Sequence, residues 1–326
     1  MISIAIATYN RADELKLTLR SLEALKFGDD RTFEVLVIDN NSNDATRAVV
    51  EEFEGPLAGP LRYIQEPRQG LSLARNRAIA EANSEIIAFL DDDVDVDPDW
   101  LINLASAFEE GDHAAVGGRA HLVYPCPRPR WLGERDEGYL TKVDLGPDPR
   151  KAASDELFGV NLAFVKKWIE RVGDFRSDLG RVGTCLIGSE EGDLLQRIAE
   201  AGGTLLYEPS ARVGHRVPVN RLSRRWFWSR CYWGCRGEVR RLPPSGVSFY
   251  ALIRESWFVA LGGLTVAHSP ISSGLLTEET FHRCMILAGR LGTWTGLAAA
   301  MMAHDARRFA ETKNPISVHR QQMLSP

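Results

Sequence analysis

Three consecutive carboxylates, Asp91-Asp92-Asp93, end the uncharged run Ile86-Ile87-Ala88-Phe89-Leu90. Like charges a few ångströms apart raise one another's pKa, so the triplet is unfavourable unless a cation is held among it. Hard divalent cations such as Mg2+ or Mn2+ take oxygen ligands and commonly share them with phosphates. For an isolated triplet the commoner role is plainer, an acidic loop before the helix that Asp97-Pro98-Asp99 opens. Other chemistry-bearing residues shift that balance. Asp39-Asn40-Asn41-Ser42 ends a second apolar run, and Thr8-Tyr9-Asn10-Arg11 ends a third. Gly188-Ser189-Glu190-Glu191-Gly192-Asp193 opens an amphipathic stretch. Its acids either match the positive end of a helix or aim one carboxylate as a general base. His215 stands just after the short strand expected over Ala211–Val213 and has the chemistry of a metal ligand.

These residues need elements to position them. Ile2–Ala7, Phe33–Ile38, Leu61–Gln65 and Ile86–Leu90 read as strands. Between them lie helical stretches, the first with Leu15, Leu19, Leu22 and Leu25 on one face and another over Ser72–Ala82. Such alternation predicts an α/β fold, a mostly parallel sheet flanked by helices. Ligands of such sheets bind outside the carboxyl ends of the strands, so Thr8, Asp39 and Asp91–Asp93 are expected in one crevice. No Gly-x-Gly-x-x-Gly follows the first strand and no P-loop occurs, which removes the usual phosphate cradles. Further strands are expected over 114–124 and 158–164, and two short ones over 205–208 and 211–213, with His215 just beyond the second. The proline-rich stretch 125–150 shows no usable periodicity and reads as a long loop.

Of the 326 residues, 44% are hydrophobic and 25% charged, ordinary for a globular protein. The net charge of −5 hides an asymmetry: residues 1–215 hold 24 Lys/Arg against 38 Asp/Glu, residues 216–326 hold 15 against 6. This suggests a catalytic region over 1–216 and a basic, helical region over 217–326. Five irregularly spaced cysteines make no disulfide framework. No basic segment followed by an apolar one opens the chain, so a cytoplasmic location is expected. Residues 216–241 interleave eight arginines with five aromatics, a composition suited to the surface of an anionic membrane at its inner face. No nucleic-acid-binding module accompanies them. Helices are expected over 249–264 and 278–302. The uncharged stretch 291–303 falls short of the ~20 residues that cross a bilayer, and a loose tail follows.

Taken in order, seven segments resemble the family 2 glycosyltransferases of the GT-A (Rossmann-like) fold. They are Ala5-Ile6-Ala7-Thr8-Tyr9-Asn10-Arg11, Val37–Ser42, Gly70-Leu71-Ser72-Leu73-Ala74-Arg75-Asn76, Leu90-Asp91-Asp92-Asp93, Gly159-Val160-Asn161, Gly188–Leu194 and His215. The resemblance implies transfer of a sugar, with inversion, from a nucleotide diphosphate to an acceptor hydroxyl, with Mn2+ or Mg2+ as cofactor. By position it implies that Thr8, Tyr9, Asn10 and Arg11 line the nucleoside pocket and that Asp39 accepts from the base, typically uracil. Arg75 would lie near the base or diphosphate, and Asp91 or Asp92 near the ribose. Asp93 would hold the metal, with His215 near it or the diphosphate. Asn161 would border sugar and acceptor. Asp193-Leu194 matches the family's Asp-Leu, which puts Glu190-Glu191 at its Glu-Asp and makes Glu191 the expected base, with Glu190 and Asp193 as substitutes. Arg225-Trp226 keeps the end of the processive members' Gln-x-x-Arg-Trp without its Gln, which favours single transfers. The acceptor, a saccharide, lipid-linked saccharide or small molecule, is not specified. The competing expectations are a catalytically silent binding protein of the same fold and a nucleotidyltransferase, the latter without its Gly-rich triphosphate loop.

Overall fold

The computed structural model describes residues 1–28, 32–183, 185–242, 249–267 and 278–313. They form two compact units, Met1–Phe227 and the chain from Trp228 onward. In the first, β1 (Ile2–Thr8), α1 (Ala12–Leu22), β2 (Phe33–Asp39), α2 (Thr46–Glu52), β3 (Leu61–Gln65), α3 (Leu71–Glu81) and β4 (Ile86–Asp91) alternate as the hydrophobic pattern predicts. Then come β5 (Val94–Val96), α4 (Trp100–Glu110), β6 (His113–Val123), β7 (Arg150–Lys151), β8 (Asn161–Val165), α5 (Lys166–Val172), α6 (Glu190–Glu200) and β9 (Thr204–Arg216).

The strands make one sheet in the order β3-β2-β1-β4-β8-β6-β9-β5, with β7 beside β9. It is parallel from β3 to β4; β8 then runs antiparallel to both β4 and β6. Val35, Leu36, Val37 and Ile38 of β2 are fully buried, as expected of a strand covered on both faces. Leu15, Leu19 and Leu22 of α1 are likewise buried, each worth about 1.5–3 kcal/mol against exposure.

Two segments differ from the sequence-based expectation, and a third adds detail to it. The two short strands over 205–208 and 211–213 are one strand, β9, with His215 inside it. Its register against β6 jumps between Gly118 and Arg119, so Pro209 falls in the bulge, where a missing N–H breaks no ladder bond. The three-residue β5, too short to show periodicity, follows Asp93 and pairs antiparallel with β9. Stretch 125–150 is the expected long loop, and it is packed. Leu132, Leu140 and Val143 are buried, a 3-10 turn spans Glu134–Leu140, and Glu137 accepts from Tyr124 Oη at 2.9 Å and Lys142 Nζ at 2.6 Å.

The second unit is helical: most of α7 (Arg224–Arg241), then α8 (Phe249–Ala267) and α9 (Glu278–Lys313). α7 and α9 approach closely, since a Cβ at Gly292 would lie 2.1 Å from the Tyr232 carbonyl oxygen. Glu255 of α8 is buried and paired with Arg290 of α9 at 3.0 Å. Among the described residues no helix is long and apolar enough to cross a membrane. The expected tail lies outside the described residues.

Candidate active site

The carboxyl ends of β1, β2 and β4 meet, with Thr8 opposite Asp39 and Ala7 opposite Asp91. The loops leaving β1 and β2 are locked together. Asn10 (φ 51°) and Asn41 (φ 67°) take the left-handed conformation that asparagine tolerates. Asn10 Oδ1 accepts the Asn43 N–H at 2.8 Å, and Ser42 Oγ accepts the Asn10 N–H at 2.9 Å. Asp39 is buried and accepts from the Ser42 N–H at 2.8 Å and Tyr63 Oη at 2.5 Å. Burial and that bond push the Tyr63 hydroxyl up to about 12. Tyr9 stands exposed at the rim.

The triplet divides by direction. Asp92 and Asp93 are buried, while the Asp91 side chain is 31% exposed. Asp92 accepts from Thr8 Oγ1 at 2.8 Å and Arg11 Nη1 at 2.5 Å; Arg11 Nη2 reaches Asp93 Oδ2 at 2.8 Å. Burial, with Asp93 alongside, pushes Asp92 up to about 7 against the pull of Arg11. Burial works the same way on Asp93, but the charges facing it, Arg11 and Arg221 among them, outweigh it and hold Asp93 well below the carboxylate range.

His215 lies fully buried on β9, its Nδ1 2.7 Å from the Leu140 carbonyl oxygen and 3.1 Å from Thr141 Oγ1. A carbonyl can only accept, so Nδ1 carries a proton; Nε2 lies 3.2 Å from Arg221 Nη1, which can only donate, and so presents its lone pair. Nε2 faces Asp93 Oδ1 at 3.3 Å, and that oxygen has no hydrogen-bond donor. Two acceptors so placed repel unless a cation joins them, and in this structure the Arg221 guanidinium stands beside both, 3.2 Å from Nε2 and 3.4 Å from Asp93 Oδ2. A divalent metal holding one carboxylate oxygen and one imidazole nitrogen, its shell completed by diphosphate oxygens and water, fits this pair. The backbone bond at Nδ1 is the usual support of a metal-binding histidine. Among the described residues no third His, Cys, Asp or Glu joins them.

A second charge centre surrounds Arg75, a buried arginine of α3. Its Nη1 lies 2.9 Å from Glu190 Oε1 and 3.1 Å from Glu191 Oε1, and its Nη2 lies 3.8 Å from Asp91 Oδ1. The rings of Phe89 and Phe175 lie 5.9 and 5.6 Å from the guanidinium carbon. Arg75 therefore ties the acids of α6 to the end of β4. Glu191 also accepts the Gly159 N–H at 3.2 Å; a Cβ at Gly159 would stand 2.2 Å from Arg75 Nη2. Glu190 is buried, and burial with Glu191 beside it pushes its carboxyl up to about 7. The Glu191 side chain keeps 17% exposure.

Thr8, Arg11, Asp39, Arg75, Asp91, Asp92, Asp93, Glu190, Glu191 and His215 thus line or underlie one crevice. Asn161 and Asp193 do not join them. The Asn161 amide donates to the Arg119 and Ala211 carbonyls at 3.2 and 2.8 Å and accepts from Trp100 Nε1 at 2.8 Å, so a polar residue of β8 is spent holding β6, β9 and α4 together. Asp193 pairs with Arg197 at 2.9 Å and Arg176 at 3.4 Å, which withdraws it as a substitute base. Two residues were missed. Tyr63 could have been found as a hydroxyl on the strand beside β2. Arg221, in the turn after β9, had no distinguishing signal within an arginine-rich stretch. Its Nη2 lies 3.4 Å from Asp93 Oδ2 and its Nη1 3.2 Å from His215 Nε2, and burial lowers its pKa.

Comparison with known proteins gives the family and the fold. Residues 3–172 match the model of the family described as glycosyl transferase family 2. The succinoglycan biosynthesis protein ExoM of Rhizobium meliloti (strain 1021) is 30% identical over 263 residues, 80% of each chain. The glucosyl-dolichyl phosphate glucuronosyltransferase of Haloferax volcanii is 24% identical over 240 residues, 71% of this chain and 74% of its own. Among solved structures, the mannosyltransferase PcManGT from Pyrobaculum calidifontis, in complex with GDP-Man and Mn2+, superposes with a TM-score of 0.54 at 17% identity, covering 98% of this chain and 82% of its own. The fold is that of the GT-A glycosyltransferases, and the chain is a glycosyltransferase belonging to glycosyl transferase family 2.

Proposed function

We propose that the protein transfers single sugars, with inversion, from a UDP-sugar to an acceptor hydroxyl in the synthesis of a glycan, glycolipid or glycosylated metabolite. The observation that carries this reading is the pairing of two charge centres across Asp91. One has the Asp93–His215 pair, suited to a metal; the other has a partly exposed carboxylate, Glu191, on a buried guanidinium. Tyr63 and the Ser42 N–H fix Asp39, whose remaining lone pairs can accept from uracil. Tyr9 and Asn10 flank the same loop. Asp91 is the accessible acid for the ribose.

Arg75 and the Gly159 N–H hold and aim the Glu191 carboxylate. It takes the proton of the acceptor hydroxyl as that oxygen bonds to the anomeric carbon, and the nucleoside diphosphate leaves on the opposite face with the bond's electron pair. Mn2+ or Mg2+ held by Asp93 and His215 would stabilise the charge of that leaving group. Arg11 orients Asp93 with one guanidinium nitrogen while the other holds Asp92, a bridge that a lysine could not make.

Membrane contact, expected over 216–241, has better support on α8. Phe227, Cys231 and Val239 of α7 are buried, whereas Ile253, Trp257, Phe258 and Leu261 of α8 are exposed beside Arg254, and the acid Glu255 is turned inward. That face suits the inner, anionic surface of a cytoplasmic membrane carrying a lipid-linked acceptor.

Glu191→Gln tests the assignment. Donor binding by calorimetry should persist while transfer falls by about 10²-fold or more. A variant that still transfers at the wild-type rate would move the base elsewhere, and loss of donor binding instead would make Glu191 a binding residue.

A further inference from the structure

Arg221 lies where the proposed metal would have to come. Its two terminal nitrogens face the two proposed ligands, 3.4 Å from Asp93 Oδ2 and 3.2 Å from His215 Nε2. It thereby meets the lone pair that the His215–Leu140 bond directs at Asp93. A guanidinium and a divalent cation cannot both occupy that position.

Arg221 is also placed so that it can leave. It ends a 3-10 turn, Val219–Arg221, whose bonds are local: Arg221 N–H to the Pro218 carbonyl at 2.9 Å, Leu222 N–H to Val219 at 3.0 Å and Ser223 Oγ to Asn220 at 3.1 Å. Val219 is 68% exposed, so swinging the turn uncovers little apolar surface. Arg221 is further crowded by the like charges of Arg11 and Arg181. Arg11, by contrast, stands at the N-cap of α1 and holds two carboxylates, so it is the fixed partner of Asp93.

We propose that Arg221 keeps the cation's place in the nucleotide-free protein and yields it when metal and diphosphate enter together, so that the two bind cooperatively. This rests on the metal reading given above. A site open for only a fraction of the time binds its ligand more weakly by that fraction. If Arg221 occupies the position nine times in ten, the free protein's affinity for Mn2+ is reduced about tenfold. Once displaced, the guanidinium remains within reach of the diphosphate, which accounts for cooperativity rather than simple competition.

The test is Mn2+ binding followed by electron paramagnetic resonance, with and without UDP, for wild type, Arg221→Ala and Arg221→Lys. In wild type, UDP should tighten Mn2+ binding strongly. Without UDP, Arg221→Ala should bind Mn2+ about tenfold more tightly than wild type, and UDP should add less. Arg221→Lys, which keeps one charge without the fork, should fall between and guards against a folding defect in the alanine variant. Equal or weaker Mn2+ binding by nucleotide-free Arg221→Ala, with UDP-dependent binding intact in wild type, would overturn the inference alone. Absence of Mn2+ binding in every variant even with UDP would overturn the metal reading and the inference with it.

Discussion

Replacing Arg75 by methionine tests how the second charge centre is held. The guanidinium is buried, with Glu190 at 2.9 Å and Glu191 at 3.1 Å. Methionine fills much of the same volume but leaves two carboxylates facing each other without their cation. Breaking a buried pair by removing one partner costs about 3–5 kcal/mol. At about 3 °C per kcal/mol for a domain of this size, the unfolding midpoint should fall by about 10 °C. The loss should depend on pH. Glu190 already titrates at about 7 and rises further without Arg75, so at pH 6 it escapes by taking a proton, whereas at pH 8 it is pressed to ionise. Thermal unfolding of wild type, Arg75→Met and Arg75→Met/Glu190→Gln at both pH values separates these effects. The double variant should recover about half of the pH 8 loss, because it deletes the acid left without a partner. A fall of under about 2 °C, the same at both pH values and unrelieved in the double variant, would refute the claim that Arg75 holds these acids.

Two further outcomes follow from the same coordinates. The folded-state pKa of Glu190, about 7, exceeds its unfolded value, so the native state holds the proton between these values and stability falls as pH rises through that window. Glu190→Gln removes this slope, and its midpoint relative to wild type should climb between pH 5 and pH 8; a constant difference over that range would contradict the shift. Asn161→Ala strips partners from the Arg119 and Ala211 carbonyls and from the Trp100 indole N–H, at about 1–3 kcal/mol each. The folded variant should nevertheless bind UDP within about twofold of wild type, and a selective loss of nucleotide affinity by calorimetry would return Asn161 to the substrate-facing set.

The first four strands were legible because β1, β2 and β4 are largely apolar runs stopped by polar residues, and parallel pairing in the order β3-β2-β1-β4 brings those stops together. Asp39, Asp91 and the Thr8 loop could therefore be placed in one crevice from spacing alone. β9 was not legible as one strand: Glu208-Pro209-Ser210 has the composition of a turn, and only pairing with β6 reveals the bulge that absorbs it. Stretch 125–150 is the expected long loop, but its packing was not legible for a related reason. Its order comes from non-periodic contacts, such as the paired backbone of Ala120 and Val143. Asn161 shows the limit of reading function from residue type. A polar residue at the start of β8 looks substrate-facing until its amide is found to be consumed by the backbones of two other strands and an indole of α4.

The arrangement also explains an imbalance visible in composition. The first 215 residues carry 38 acids against 24 basic residues, yet the crevice acids are not left to repel one another. Arg11 spans Asp92 and Asp93, and Arg75 spans Glu190 and Glu191. In both cases one planar guanidinium serves two carboxylates, which a lysine ammonium does poorly. Asp91 lies between these centres, partly exposed and 3.8 Å from Arg75. It is therefore the acid of the triplet whose environment an entering nucleotide changes most. Asp92, enclosed by Thr8 and Arg11 and pushed up by burial, works from behind by fixing the arginine that aims Asp93. On this geometry the three carboxylates have three jobs, and Asp92→Asn should disturb Asp93 before it disturbs the nucleotide. Mn2+ affinity measured in the presence of UDP should then drop in Asp92→Asn while UDP affinity measured without metal holds, and the reverse pattern would exchange the roles of Asp91 and Asp92.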